Sequence, residues 1–177
     1  MIRTERLILR RWWRSDRAPF AALNADPEVM RFFQTLLTRA ESDAWIDMIE
    51  DSLATTGLGL WAVERIEDGA FLGFTGLWPF KPGNPLYPEI EIGWRLARSA
   101  WGCGYATEAA RASLADGFQR LGLDRVFSIT AADNRRSEAV MQRIGLLRRA
   151  ELDFDHPDIA EGEPYRRQIV YRIGRAD

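Results

Sequence analysis

The chain of 177 residues is 46% hydrophobic and 28% charged, and its net charge is −2. This composition is typical of a globular protein with one core, and the near-zero net charge gives no reason to expect nucleic acid or an anionic membrane as a partner. The single cysteine, Cys103, excludes an intrachain disulfide framework and favours a reducing, cytoplasmic compartment, and no apolar run is long enough to cross a membrane. We therefore expect a single cytoplasmic domain over residues 1–177.

The first third of the chain predicts one strand and three helices. Asp26-Pro27-Glu28 has the features of a helix start: a capping acid, a proline in the first turn and an acid that complements the helix dipole. Thr38 and Glu41 have the spacing of a capping box, and apolar residues recur after them at helical spacing. The predicted strand covers residues 6–12, and the predicted helices cover 16–23, capped by Ser15 and Asp16, then 26–33 and 40–54.

The rest of the chain predicts strands and loops with two helices between them. Glu67-Asp68-Gly69 contains the residue types of a hairpin turn, and the prolines within 81–88 and 155–164 predict loops. The predicted strands are 60–66, 71–77, 89–96, 125–131, 147–154 and 166–173, and the predicted helices are 106–121 and a second one from Asn134 to Ile144. This order indicates the α+β class, with a central mixed, mostly antiparallel sheet of about seven strands flanked by helices.

The segment Trp101–Glu108 joins the predicted strand 89–96 to the predicted helix 106–121 through Gly102 and Gly104. A strand that turns through two glycines into a helix leaves several backbone N–H groups without partners, and these groups, with the positive end of the helix dipole, can bind a phosphate. Glycine also accepts a positive φ and keeps side chains away from an anion. The alternative is that the two glycines only make a tight turn.

Several further segments accompany this glycine loop, in a fixed order along the chain. They are Thr4–Leu7, Asp26–Met30, Trp101–Ala109, Asn134–Ser137 and Arg143–Gly145. Together they resemble the GNAT superfamily of acetyl-coenzyme A-dependent N-acetyltransferases, and within it the branch typified by the ribosomal-protein N-terminal acetyltransferases RimJ and RimL. The resemblance covers essentially the whole chain. It implies the GNAT fold, acetyl-coenzyme A as co-substrate, no metal, a monomer or homodimer, and acetyl transfer to a primary amine by direct attack in a ternary complex.

The resemblance also assigns a coenzyme site. Gly102 and Gly104 match the family's pyrophosphate motif, whereas Ser99 stands where the family has Gln or Arg, which removes one long side chain and leaves the backbone N–H groups. Asn134 and Ser137 match an Asn-x-x-Ser motif that faces the coenzyme's arm and thiol, although Asn134 also suits a helix cap. The pantetheine arm is expected along the end of the strand 89–96. The expected coenzyme-binding residues are Trp94, Arg95, Leu96, Trp101, Gly102, Cys103, Gly104, Tyr105, Ala106, Thr107, Asn134 and Ser137.

Acetyl transfer from a thioester to an amine requires a group that removes a proton from the amine and a group that protonates the departing thiolate. Glu91 is the first candidate for the base, because its strand is expected to end at the coenzyme; the alternative is an ordinary surface carboxylate. Many GNAT enzymes protonate the thiolate with a tyrosine at the position of Met141, which has no proton to donate. RimL-like enzymes point instead to Ser137, with Tyr105 and Tyr171 as reserve candidates or packing residues.

Two other functions stay open at this point. A module that binds acetyl-coenzyme A without transferring the acetyl group would explain why Met141 replaces the tyrosine. A cysteine hydrolase would combine Cys103 with His156 and Asp155, although Cys103 lies at a position that varies in the family.

The identity of the amine acceptor, a protein N-terminus or a small molecule, cannot be read from the sequence. His156 is either a base or substrate contact at the cleft mouth or an ordinary loop residue. Trp61, Trp78 and Trp101 are candidates to line the acceptor cleft, with a place in the core as the alternative.

Overall fold

The computed structural model describes residues 1–175, which form four α-helices and nine strands; residues 176–177 of the expected domain lie outside the described part. The helices are α1 (Arg17–Asn24), α2 (Arg39–Thr55), α3 (Tyr105–Gln119) and α4 (Arg135–Arg143). The strands are β1 (Ile2–Arg3), β2 (Leu7–Arg10), β3 (Gly59–Arg65), β4 (Phe71–Pro79), β5 (Ile90–Leu96), β6 (Arg125–Ala131), β7 (Leu147–Arg148), β8 (Phe154–Asp155) and β9 (Arg167–Gly174). Within the described residues, no helix is long and apolar enough to span a membrane.

The strands form one mixed sheet in the order β1-β2-β3-β4-β5-β6-β9-β7, with β8 paired to β9. Neighbouring strands are antiparallel except β5 and β6, which run parallel and share one register pair, Glu91 with Phe127. Beside this pair, Ser128 Oγ donates a hydrogen bond to the carbonyl oxygen of Ile92 (3.0 Å). Past this point β5 continues to Leu96 without further pairing to β6, so the sheet splits. The predicted α+β class and mostly antiparallel sheet are therefore confirmed.

Helices cover both faces of the sheet. On one face, α3 and α4 pack over a core that includes Ile92 and Met141. On the other face, α1 and α2 pack over a core that includes Phe20, Ile49 and Phe74. Each helix therefore buries its apolar face against the sheet, which is the main source of its stability.

Side chains alternate along β5 between these two faces. Trp94 packs against the core under α3 and α4, whereas the guanidinium of Arg95 reaches Asn24 of α1 on the opposite face. By the same alternation Glu91 and Gly93 face the side of α1 and α2. Side chains of β5 therefore contribute to both faces of the sheet where it splits.

Three local signals in the sequence are confirmed. Before α2, Thr38 Oγ1 accepts a hydrogen bond from the backbone N–H of Glu41 (3.3 Å), and the Glu41 carboxylate accepts one from the N–H of Thr38 (2.7 Å). The turn between β3 and β4 contains Gly69 at φ 70°. Asn134 caps α4 by accepting a hydrogen bond from the N–H of Ser137 (3.3 Å).

The predicted helix 26–33 is wrong. The Asp26 carboxylate accepts a hydrogen bond from the N–H of Glu28 (2.9 Å). Two backbone hydrogen bonds follow: Met30 N–H donates to the Asp26 carbonyl with α-helical spacing, and Phe33 N–H donates to the Met30 carbonyl with the tighter spacing of a turn. A short side-chain-to-backbone bond of this kind favours a turn over a helix. Asp16 precedes α1 as predicted but does not cap it, because its carboxylate is buried and binds Arg10.

The predicted continuous strand 147–154 is also wrong. A short 3₁₀ turn at Ala150–Leu152 separates β7 from β8. The Asp153 carboxylate pairs with Arg148 and accepts a hydrogen bond from the N–H of Val170 (3.0 Å), so it occupies the place of a ladder partner beside β9. Together with the short β1, this break accounts for nine strands instead of about seven.

Candidate active site

A groove of about 2500 Å³ opens where β5 and β6 separate. The starts of α3 and α4 border one side, and the segment 28–37 with Trp45 and Phe74 borders the other. Among the predicted coenzyme-binding residues, all except Cys103 line this groove: they are Trp94, Arg95, Leu96, Trp101, Gly102, Gly104, Tyr105, Ala106, Thr107, Asn134 and Ser137. The fold therefore brings residues from three separate parts of the sequence to one cavity.

The glycine loop ends at the first turn of α3. Gly102 and Gly104 have φ angles of 75° and 81°, which are in the left-handed region that favours glycine. Gly104 is the N-cap residue and provides no side-chain cap, so the first N–H groups of α3 have no partner within the helix. A Cβ added at Gly102 would meet no atom within 4 Å. The loop therefore has donors, a favourable dipole and free space for an anion, which fits a diphosphate.

Glu108 in the first turn of α3 anchors this loop to the start of the chain. Its carboxylate accepts hydrogen bonds from Thr4 Oγ1 (2.6 Å) and from the backbone N–H of Arg6 (2.9 Å). The Arg6 guanidinium pairs with Glu108 and donates to the carbonyl oxygen of Cys103 (3.0 Å). A carboxylate near a helix N-terminus is favourable, and here it also fixes the turn before β2 against the loop.

Arg136 is a groove residue that sequence reasoning missed. Its guanidinium lies over the ring of Trp101, 4.5 Å from the centroid, and no carboxylate in the described chain pairs with it. The sequence does contain a signal for a phosphate contact: Arg136 is a basic residue in the first turn of α4, two positions after the capping Asn134. An arginine that is held beside the glycine loop without a partner can contact a phosphate.

The Asn134 and Ser137 side chains are held in one defined arrangement. Asn134 Nδ2 donates hydrogen bonds to Thr130 Oγ1 (3.0 Å) and to Ser137 Oγ (3.1 Å). Since an amide nitrogen only donates, Ser137 Oγ accepts in this bond, and its own O–H remains available to donate into the groove. Met141, at the position of the missing tyrosine, is 1% exposed and belongs to the core under α3 and α4.

Glu91 lies at the point where the sheet splits, opposite Phe127 in the single register pair between β5 and β6. Glu91 is partly exposed and lines the groove, and the surrounding protein desolvates its carboxyl group. No hydrogen-bond donor or cation in residues 1–175 contacts the carboxyl group. Burial raises the pKa of Glu91 to about 7. A carboxylate with this pKa is a suitable proton acceptor near neutral pH.

The other predicted candidates fall into two groups. Trp78, Trp101 and His156 line the groove, and burial lowers the pKa of His156. Trp61 is part of β3, packs against the core and lies outside the groove lining.

The hydroxyl of one reserve tyrosine is engaged elsewhere, and the other tyrosine lines the groove with its ring against an arginine. The Tyr171 hydroxyl donates to the Glu138 carboxylate (2.9 Å) outside the groove lining, and the Tyr105 ring lies under the Arg6 guanidinium at 4.7 Å. Cys103 is exposed outside the groove, and no contact in the described chain joins it to His156. The cysteine hydrolase therefore has no structural support.

Comparison with known proteins identifies the family. Residues 6–147 match the acetyltransferase (GNAT) domain family. The chain is 33% identical over 144 residues to the uncharacterized protein YkkB of Bacillus subtilis, covering 81% of this chain and 83% of YkkB. It is 30% identical over 168 residues to FsC-acetyl coenzyme A-N(2)-transacetylase of Aspergillus fumigatus, covering 88% and 68%.

A solved structure extends the comparison to the fold. RimL, the ribosomal L7/L12 α-N-protein acetyltransferase, in complex with coenzyme A, superimposes with a TM-score of 0.77 at 16% identity and covers 97% of this chain and 95% of RimL. The predicted GNAT fold is confirmed. The chain belongs to the GNAT family of N-acetyltransferases.

Proposed function

We propose that this chain transfers the acetyl group of acetyl-coenzyme A to a primary amine by direct attack in a ternary complex, as one domain over residues 1–177. The observation that carries the proposal is the groove at the sheet split, which joins an uncapped helix start to a carboxyl group without a partner. The loop with Gly102 and Gly104 provides the anion-binding site, and Glu91 lines the same groove where the sheet splits. Two similar proteins, FsC-acetyl coenzyme A-N(2)-transacetylase and the α-N-protein acetyltransferase RimL, are named for acetyl transfer to nitrogen, which agrees with this chemistry.

The coenzyme, when bound, supplies an activated acetyl group and a thiolate leaving group. In our proposal its diphosphate is bound by the N–H groups of Tyr105, Ala106 and Thr107 at the start of α3, within the loop from Trp101 to Gly104. Trp94, Arg95 and Leu96 offer backbone groups along the open edge of β5. Backbone N–H groups at this edge also polarise the carbonyl that is attacked, since fixed dipoles act strongly in a site with little water.

Proton transfer is assigned to two side chains. Glu91 accepts a proton from the acceptor ammonium, directly or through a water, because its raised pKa leaves it able to bind and release a proton near neutral pH. Ser137 donates its free O–H to the departing thiolate, since its Oγ already accepts from Asn134. Met141 contributes only packing. This arrangement needs no tyrosine and no enzyme nucleophile.

The acceptor is a protein N-terminus or a small-molecule amine that enters from the side of α1 and α2. We further propose a cytoplasmic enzyme that acts as a monomer or homodimer, without a metal. The decisive experiment incubates the protein with acetyl-coenzyme A and a panel of amines and peptides, and measures thiol release against a reaction without amine. Amine-dependent release supports the proposal. Micromolar coenzyme binding without release above hydrolysis would support the binding-module alternative instead.

A further inference from the structure

Two arginines are almost fully buried in the described part of the chain, and they are compensated differently. Arg10, 5% exposed, binds the carboxylates of Asp16 (2.6 Å) and Glu64 (2.7 Å). Arg95, 7% exposed, donates from Nη1 to the uncharged Oδ1 of Asn24 (2.6 Å), and no carboxylate in residues 1–175 contacts it. Its Nε is buried without a hydrogen-bond partner. A buried cation without an anion is strongly unfavourable. Arg95 is therefore able to bind an anion that the folded chain does not supply.

Aromatic rings around Arg95 compensate part of this cost. The guanidinium carbon lies 4.0 Å from the ring centroid of Phe33, 5.0 Å from that of Trp45 and 5.4 Å from that of Phe74. Such contacts are favourable to a cation, but they engage the guanidinium through ring faces and provide no hydrogen-bond acceptor. Nε and Nη2 therefore have no hydrogen-bond acceptor within the described residues, and together they form the edge that binds a carboxylate through two parallel hydrogen bonds.

The position of Arg95 relates this free edge to the acceptor side of the groove. Arg95 and Glu91 both line the groove and lie on the same face of β5, four residues and thus about 13 Å apart at their Cα atoms. Gly93 lies between them, and a Cβ added there would meet no atom within 4 Å. Open space therefore separates a proton acceptor from an unpaired cation. Phe33, 44% exposed in a segment without helix or strand, stacks over the guanidinium from the groove side.

We propose that the amine acceptor carries a carboxylate and that Arg95 binds this carboxylate while the amine faces Glu91. The inference rests on the acetyl transfer proposed above and specifies its substrate class as an amino acid or another small amino carboxylic acid. A polyamine would instead direct a second ammonium group towards Arg95, and this contact is repulsive. The aromatic walls suit the carbon chain between the two charged ends of the acceptor.

The test compares matched acceptors that differ only in the carboxylate. The acids run from glycine through γ-aminobutyrate to ε-aminocaproate, and each is paired with the corresponding amide. We expect kcat/KM of the unmodified enzyme to favour the best acid over its amide by roughly 10- to 100-fold, as for a paired charged hydrogen bond. Arg95→Met, whose side chain suits the aromatic surroundings, should bring this ratio close to one, and Arg95→Lys should restore part of the preference.

The comparison on the unmodified enzyme stands even if the Arg95 variants fail to fold. A preference for the amides, for diamines or for an aminoalkyl phosphate would overturn the inference, while acetyl transfer itself would stand. An acid preference that survives in Arg95→Met would also overturn it. If no amine of any kind is acetylated, the proposed function fails and the inference fails with it.

Discussion

Replacing Glu91 by Gln removes a carboxyl group whose ionised form is disfavoured by burial. The pKa of Glu91 rises from 4.5 to about 7 on folding. Below pH 4.5 both the folded and the unfolded chain are protonated and the raised pKa has no effect on stability. Between pH 4.5 and 7 the unfolded chain loses its proton first, so the free energy of unfolding falls as the pH rises. Above pH 7 the full effect is about 3 kcal/mol, from roughly 1.4 kcal/mol per pKa unit.

Because part of the Glu91 side chain is open to water in the groove, we expect Glu91→Gln to stabilise the fold by less than this limit, by about 1 to 2 kcal/mol at pH 8. At pH 4 the gain should vanish. The same variant should lower kcat by roughly 100-fold or more, since general base catalysis typically contributes at least this much. It should also lose the ascending limb of the pH–rate profile near pH 7. Urea unfolding at the two pH values and steady-state thiol release measure these effects.

Glu89→Gln is the matched control for Glu91→Gln. Glu89 lies two residues before Glu91, directly before β5, and its carboxylate pairs with the exposed Arg125. This control should leave kcat and its pH dependence unchanged. The reasoning about Glu91 is refuted if Glu91→Gln keeps the pH profile of the unmodified enzyme, or if it has no more effect on stability at pH 8 than at pH 4.

Three further predictions concern the glycine loop that is proposed to bind the coenzyme, the proton donor and the buried ion pair. Gly102→Val should abolish coenzyme binding in calorimetry. Gly69→Val, at a similar φ of 70° and with equally open space, should retain it, and equal losses of affinity would contradict anion binding by the glycine loop. Ser137→Ala should lower kcat by roughly 100-fold, with coenzyme affinity nearly unchanged, and an unchanged kcat would exclude Ser137 as the donor. Asp16→Ala should lower the free energy of unfolding by about 3 kcal/mol in urea, since the buried Arg10 loses one of its two carboxylates; a loss under about 1 kcal/mol would mean that the pair contributes little.

Predictions from the sequence succeeded where the determinants lie within one turn of chain. The capping box at Thr38 and Glu41 and the cap at Asn134 depend on residues three apart, and both formed as expected. The prediction from Asp26 failed although its signals were also local, because the same carboxylate can close a turn on the N–H of Glu28. Helix-start signals alone therefore do not decide between a helix and a turn unless a periodic apolar face follows.

The contacts that shape the groove were not predictable in the same way. Arg6 and Glu108 are 102 residues apart, and Arg95 and Asn24 are 71 residues apart, so nothing in the local sequence pairs them. The alternation of β5 correctly put Glu91 on a definite face. It could not reveal that the carboxyl group is buried where two strands separate, because that burial depends on the pairing of β5 with β6, which lies far along the chain.

Gly93 gives the most direct test of which side of the groove receives the acceptor. A side chain there would point into the space between Glu91 and Arg95, where an added Cβ meets no atom within 4 Å. We expect Gly93→Val to leave the fold as stable as before, or more stable by about 0.5 to 1 kcal/mol, because glycine in a strand is unfavourable. The KM for the acceptor should rise roughly 10-fold or more, as for a filled pocket, while the coenzyme Kd stays the same. If the coenzyme Kd rises and the acceptor KM does not, the space over Gly93 belongs to the coenzyme, and the acceptor must enter from elsewhere.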